Sequence, residues 1–273
     1  LISVFIIILV SIFAFTKTLS NDIFVYSLGN WEAPFGIVLV LDQFSILMVL
    51  VTSLLAFGAL WYAISEGIDK KGAHFHPLFQ LQLFGLNGAF LTGDLFNLFV
   101  FFEILLLASY SLLLHAKGEG RVKAGLHYVV INLVGSTLFL FAVGTLYGIL
   151  GTLNIADLSQ KVAHLSPENV SIVASAGLLL LIVFGLKAAM FPLYFWLPNA
   201  YGKTSAPVAA LFAIMTKVGI YSIIRVHGTI FGQNANELAF YYTPWVLYIG
   251  LITLVLATFG VLSSKELKTQ ISY

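Results

Sequence analysis

Apolar runs alternate with short polar segments along almost the whole chain. The runs fall near residues 1–19, 42–63, 77–92, 95–115, 124–149, 172–194, 206–227 and 243–262. A hydrocarbon layer about 30 Å thick takes roughly 20 apolar residues in a helix, so the pattern predicts that each run crosses a membrane. The third run is short, and Thr92-Gly93-Asp94 makes a tight turn before the fourth. Between the first two, "VYSLGNWEAPFGIVLVLD" sets Gly29-Asn30 between β-prone stretches, which predicts an extramembrane hairpin. Residues 150–171 have an apolar spacing that fits a short interfacial helix.

Composition narrows the class. The chain is 60% hydrophobic and 9% charged, against about 45–50% and 25% in soluble domains. Its mean hydropathy is +0.99. A soluble fold of this length has no way to cover so much apolar surface, so the expected class is an all-α, polytopic membrane helix bundle. The net charge of +1 says nothing about partners, and no basic block suggests nucleic acid. The absence of cysteine excludes disulfides, iron–sulfur clusters and thiolate metal sites within the chain. His74-x-His76 lacks the further ligands a metal needs, and no phosphate or dinucleotide loop is present. The run Leu1–Phe15 has no charged segment before it and reads as a membrane helix rather than a signal peptide. With "SSKELKTQISY" reading as the start of another element, the chain is expected to be an internal fragment.

Loop cations set the orientation. If residues 64–76 lie inside, the inner loops hold Lys70, Lys71, Lys117, Arg121, Lys123, Lys203, Lys265 and Lys268. The outer loops hold only Lys17 and Lys161. Residues 20–41, 150–171 and 228–242 are therefore expected outside.

The candidate chemistry lies within the apolar runs. Glu103, Lys187 and Lys217 sit deep in their spans, whereas Arg225 is near enough to an end to snorkel. A charge at the centre of a membrane helix costs roughly 2.5–3.5 kcal/mol on insertion scales. Three such groups need pairing, hydration or function to offset them. An inert ion pair is one account, but apolar replacements of buried pairs are often neutral or better. Two lysines and one glutamate also leave the set uneven. A proton relay is the other account, because desolvation disfavours the charged form of any such group. The stretch "FGLKAAMFPLYFWLPNAYGKTSAPVAAL" adds a second feature. Pro192 and Pro198 lack the amide hydrogens that the carbonyls of Ala188 and Tyr194 would use, which predicts a helix break just after Lys187. Broken backbone at membrane depth survives where protein or water satisfies it, and broken helices form ion sites in transporters.

Other polar residues carry weaker signals. His127 shares a helix face with Lys123 and is either a proton-passing group or an interfacial histidine. Asn132, Ser136 and Thr137 fit bonds to neighbouring helices, and Asp94 fits a cap on the helix carrying Glu103. Glycines, 23 in all, fit close helix packing.

"TGDLFNLFVFFEILLLASYSLLLH", "LKAAMFPLYFWLPNAYGKTSAPVAALFAIMTKVGIYSIIRVH" and the closing "KELKTQISY" resemble the antiporter-like subunits shared by Mrp-type cation/proton antiporters and respiratory complex I. The details are most similar to the D subunit of the Mrp antiporter. The resemblance implies about fourteen helices with two inverted five-helix repeats, each containing a broken helix. Glu103 then matches the glutamate of the fifth family helix, Lys187 the lysine before the break in the seventh, and Lys217 the lysine of the eighth. Lys268 matches a polar position at the start of the tenth. By this reading residues 1–92 form peripheral helices and the hairpin, 93–227 the first repeat, and 243–273 the start of a second repeat that the chain does not complete. The resemblance implies a proton-translocating subunit with no bound cofactor and no catalytic or metal site. Its partners would be other subunits of a hetero-oligomeric antiporter, the bilayer of a prokaryotic plasma membrane, protons and sodium. A redox-driven pump of the complex I or hydrogenase kind, and a non-transporting scaffold, remain as alternatives.

Overall fold

The computed structural model describes residues 1–115 and 119–273. Lys117, counted among the inner-loop cations, lies outside the described residues. The chain packs as two compact units, one of Leu1–Gly125 with Lys203–Met215 and one of Leu126–Gly202 with Thr216–Tyr273. Six helices among the described residues are long and apolar enough to cross a membrane.

The first unit holds helices α1 (Ile2–Thr18), α2 (Gln43–Ser65), α3 (Phe75–Leu91) and α4 (Leu95–Leu114). At 17 residues each, α1 and α3 extend only about 25 Å, short of a full hydrocarbon layer. Each long helix starts where the sequence offers a cap. Asp42 and Ser45 form a reciprocal capping box on α2, with Ser45 N donating to Asp42 Oδ1 at 2.8 Å and Asp42 N donating to Ser45 Oγ at 2.9 Å. Asp94 accepts from Asn97 N at 2.9 Å on α4. The turn between α3 and α4 lets the two helices meet along glycines. A Cβ at Gly85 would stand 2.7 Å from Leu105 Cβ, and one at Gly88 would enter the ring of Phe101. Between α1 and α2, strands β1 (Phe24–Ser27) and β2 (Val38–Leu41) pair antiparallel with Phe24 opposite Leu41 and Ser27 opposite Val38. Gly93 N donates to Val38 O at 2.9 Å and ties this hairpin to the α3–α4 turn.

The second unit contains most of α5 (Glu119–Leu150), then α6 (Ile155–Ala163) and α7 (Pro167–Lys187). No proline interrupts α5, and it runs unbroken for 32 residues. Asn154 caps α6 by accepting from Ala156 N and Asp157 N, and Ile155, Leu158 and Val162 form its buried stripe. Pro167 takes the first position of α7, where its missing N–H is not needed. The short helix α8 (Trp196–Lys203) leads to α9 (Ala206–Ser222), which continues through a π-helical turn at Ile223–His227 into α10 (Gly228–Ile230). Helices α11 (Thr243–Ser263) and α12 (Leu267–Ser272) complete the chain. In α11 the buried residue is Gly260, and most of its other positions are apolar.

The apolar run at 172–194 divides differently from its hydropathy. Helix α7 begins at Pro167 and stops at Lys187, seven residues before the run ends. Ala188 caps it and Ala189 takes a left-handed φ of 54°. Pro192 lies in the gap, followed by a single 3-10 turn at Leu193–Phe195. Pro198 falls in the first turn of α8, where a helix needs no amide donor, so α8 continues through it.

Candidate functional site

Several of the polar groups at the break find partners. Ala188 N reaches Phe184 O at 2.8 Å and Met190 N reaches Gly185 O at 2.8 Å. Leu186 O accepts from Ala189 N at 3.1 Å and from the indole Nε1 of Trp196 at 3.2 Å. Phe191 N donates to Thr253 Oγ1 of α11 at 2.8 Å. This is the accounting that irregular backbone at membrane depth requires. It also fixes the last turn of α7 in place.

Lys187 is the last residue of that turn, and its side chain is only 6% exposed. Its Nζ donates to Asn132 Oδ1 on α5 at 3.0 Å. Asn132 is itself buried, and its Nδ2 donates to Tyr128 O at 2.8 Å, which orients the carboxamide oxygen toward the lysine. Tyr128 stacks obliquely on Trp196, with ring centroids 5.1 Å apart, and Trp196 packs edge-on to Tyr201 at 6.2 Å. Close approach of α9 completes the enclosure, because Gly219 lies directly against Phe184 O and Ala188. A cavity of about 400 Å³ on the other side of the break is lined by Leu181, Gly185, Met190, Pro192, Trp245 and Ile249, among other apolar residues.

The remaining sequence candidates are distributed. Glu103 is half-buried on α4 in the first unit and acts electrostatically on Tyr110, two turns along the same helix. Lys217 is exposed on this chain, with Nζ 3.3 Å from Thr216 Oγ1. His127 is exposed on α5 and Lys268 on α12. Arg225 lies in the π-helical turn, where its Nε donates to Tyr221 OH at 3.0 Å. Asp94 caps α4 while 8% exposed, and burial pushes its carboxyl above the usual range although Asn97 N and Phe96 N donate to it. Asn132 bonds a neighbouring helix as the sequence predicts, but the sequence did not name Lys187 as its partner. The available signal was an asparagine in an apolar helix. Sequence reasoning also passed over Trp196, whose indole satisfies a carbonyl at the break.

The fold is a multi-pass membrane helix bundle with one helix broken at a buried lysine. Residues 92–273 match the model of the NADH:quinone oxidoreductase/Mrp antiporter transmembrane family, and the chain belongs to that family. The D subunit of a probable K(+)/H(+) antiporter of Rhizobium meliloti is 53% identical over 243 residues, covering 89% of this chain and 45% of the relative. The D subunit of the Na(+)/H(+) antiporter of Alkalihalophilus pseudofirmus is 42% identical, covering 97% and 53%. The Mrp complex of Dietzia sp. contains a chain that superposes with a TM-score of 0.89 at 32% identity, covering 99% of this chain and 49% of that one. The chain thus spans about half the length of the curated relatives it matches.

Proposed function

We propose that this chain is the proton-translocating part of a subunit of a multisubunit monovalent cation/proton antiporter in a prokaryotic plasma membrane. The observation that carries the reading is Lys187, buried at a helix break and held by a neutral carboxamide 3.0 Å away. Lys187 loads and releases the proton, Glu103 favours its charged form, and Lys217 passes the proton onward. Membership of the family and the antiporter names of the relatives support this reading. Sodium is the exchanged cation in the proposal, with potassium as the other arm of the assay.

The test is cation-dependent ΔpH in vesicles holding the complete complex, without any electron donor. Lys187→Ala should abolish exchange and Glu103→Ala should reduce it severely, while Glu103→Asp retains part, with assembly checked on native gels. Fully active, assembled Lys187→Ala complexes overturn the relay. Exchange that appears only with an electron donor favours a redox-driven pump.

A further inference from the structure

His227 has no part in the relay of Lys187, Glu103 and Lys217, and two local irregularities meet at it. It ends the π-helical turn Ile223–His227, a geometry that costs regular helical pairing and recurs at functional sites. Its side chain is fully buried, and its Nδ1 makes no hydrogen bond among the described residues. The other ring nitrogen, Nε2, lies 2.9 Å from Gly177 O on α7. A carbonyl only accepts, so Nε2 carries the proton and Nδ1 presents a lone pair. Around that ring stand Tyr242 at 5.0 Å, Phe231 at 5.8 Å and Phe184 at 5.9 Å between centroids. The site therefore has a carbonyl that holds the Nε2 proton and a second, buried nitrogen whose lone pair is available for another.

We propose that His227 is a further proton-carrying residue of the relay, serving the end of α9 that the loop charges place outside. The inference rests on the proton-relay reading of Lys187. Ten residues separate Gly177 from Lys187 along α7, a rise of about 15 Å, so the proposed transfer needs intervening water. Phe184 lies one turn from Lys187 and meets the His227 ring edge-on. In the step, Nδ1 gains the proton that the Lys187 ammonium gives up, and the total charge is unchanged. The imidazolium then releases it to the outer water. The other ionisable groups on the elements packed around the ring are Glu168, Arg225, Tyr241, Tyr242, Asp157 and Lys161.

The test uses the complete antiporter complex in vesicles. His227→Gln keeps an amide donor for Gly177 O but has no nitrogen that titrates. It should assemble normally and lose at least tenfold in exchange rate, with Lys187→Ala as the inactive control. Wild-type exchange by assembled His227→Gln beside an inactive Lys187→Ala overturns the role of His227 and leaves the lysine relay standing. Should His227→Gln fail to assemble, the wild-type complex with nitrogen-15-labelled histidine decides by magnetic resonance. Nδ1 should gain and lose a proton between alkaline and acidic conditions, and a ring that stays neutral throughout overturns the proposal.

Discussion

Gly219→Ala tests the idea that close approach of α9 holds the end of α7, and with it Lys187. An added Cβ would lie 2.8 Å from Phe184 O and 2.9 Å from Ala188 Cα. The second contact is about 0.6 Å short of the ~3.5 Å at which carbon atoms begin to attract. Both obstacles are backbone atoms, so no side chain can swing aside and the helices must separate. Overpacking of this kind costs about 1–3 kcal/mol, while replacing a helical glycine by alanine returns roughly 0.5–1 kcal/mol. A net loss of about 1–2 kcal/mol corresponds to a drop in Tm of roughly 2–8 °C for a unit of this size. Exchange should fall too, because the displaced turn carries the lysine away from Asn132. Gly144→Ala on α5 is the control, since a Cβ there meets nothing within 4 Å. It should match or exceed wild type. Thermal unfolding of the purified complex reads the difference, and a Gly219→Ala variant melting at or above both references refutes the close-approach argument.

Two further changes probe single interactions. Asn132→Leu removes the acceptor 3.0 Å from Lys187 Nζ; a hydrogen bond to a charged group contributes about 1.5–3 kcal/mol, so vesicle exchange should fall roughly 10- to 150-fold, and unchanged exchange by assembled complex would show that the carboxamide is dispensable. Asp94→Asn keeps the cap on α4 without a titrating carboxyl. Because burial raises the Asp94 pKa in the folded state, its contribution to stability is fully present below about pH 3.9 and is lost as pH rises through the raised value. Asp94→Asn should therefore melt at or above wild type at pH 7, whereas Asp94→Ala should lose about 0.5–2 kcal/mol with the cap; the reverse order in a melting series would contradict this.

Apolar periodicity was enough to set the class and the helices. Each apolar run contains a helix, and α5 coincides closely with its run because nothing in it competes with helical pairing. The cap at Asp94 was legible for the same reason, since a cap depends on a side chain and an amide two or three residues away; Asp42 and Asn154 cap in the same way. Pro192 announced a break after Lys187, although hydropathy carried the run on to residue 194, because hydropathy registers cost of transfer and not backbone donors. What meets the lysine came from the packing of helices far apart in the chain. Asn132 precedes Lys187 by 55 residues, and the indole that satisfies Leu186 O comes from beyond the break. The same holds for His227, whose partner Gly177 is 50 residues away. Local sequence sets which groups are costly in a membrane; packing between distant helices chooses the partners that offset the cost, and no short-range pattern encodes that choice.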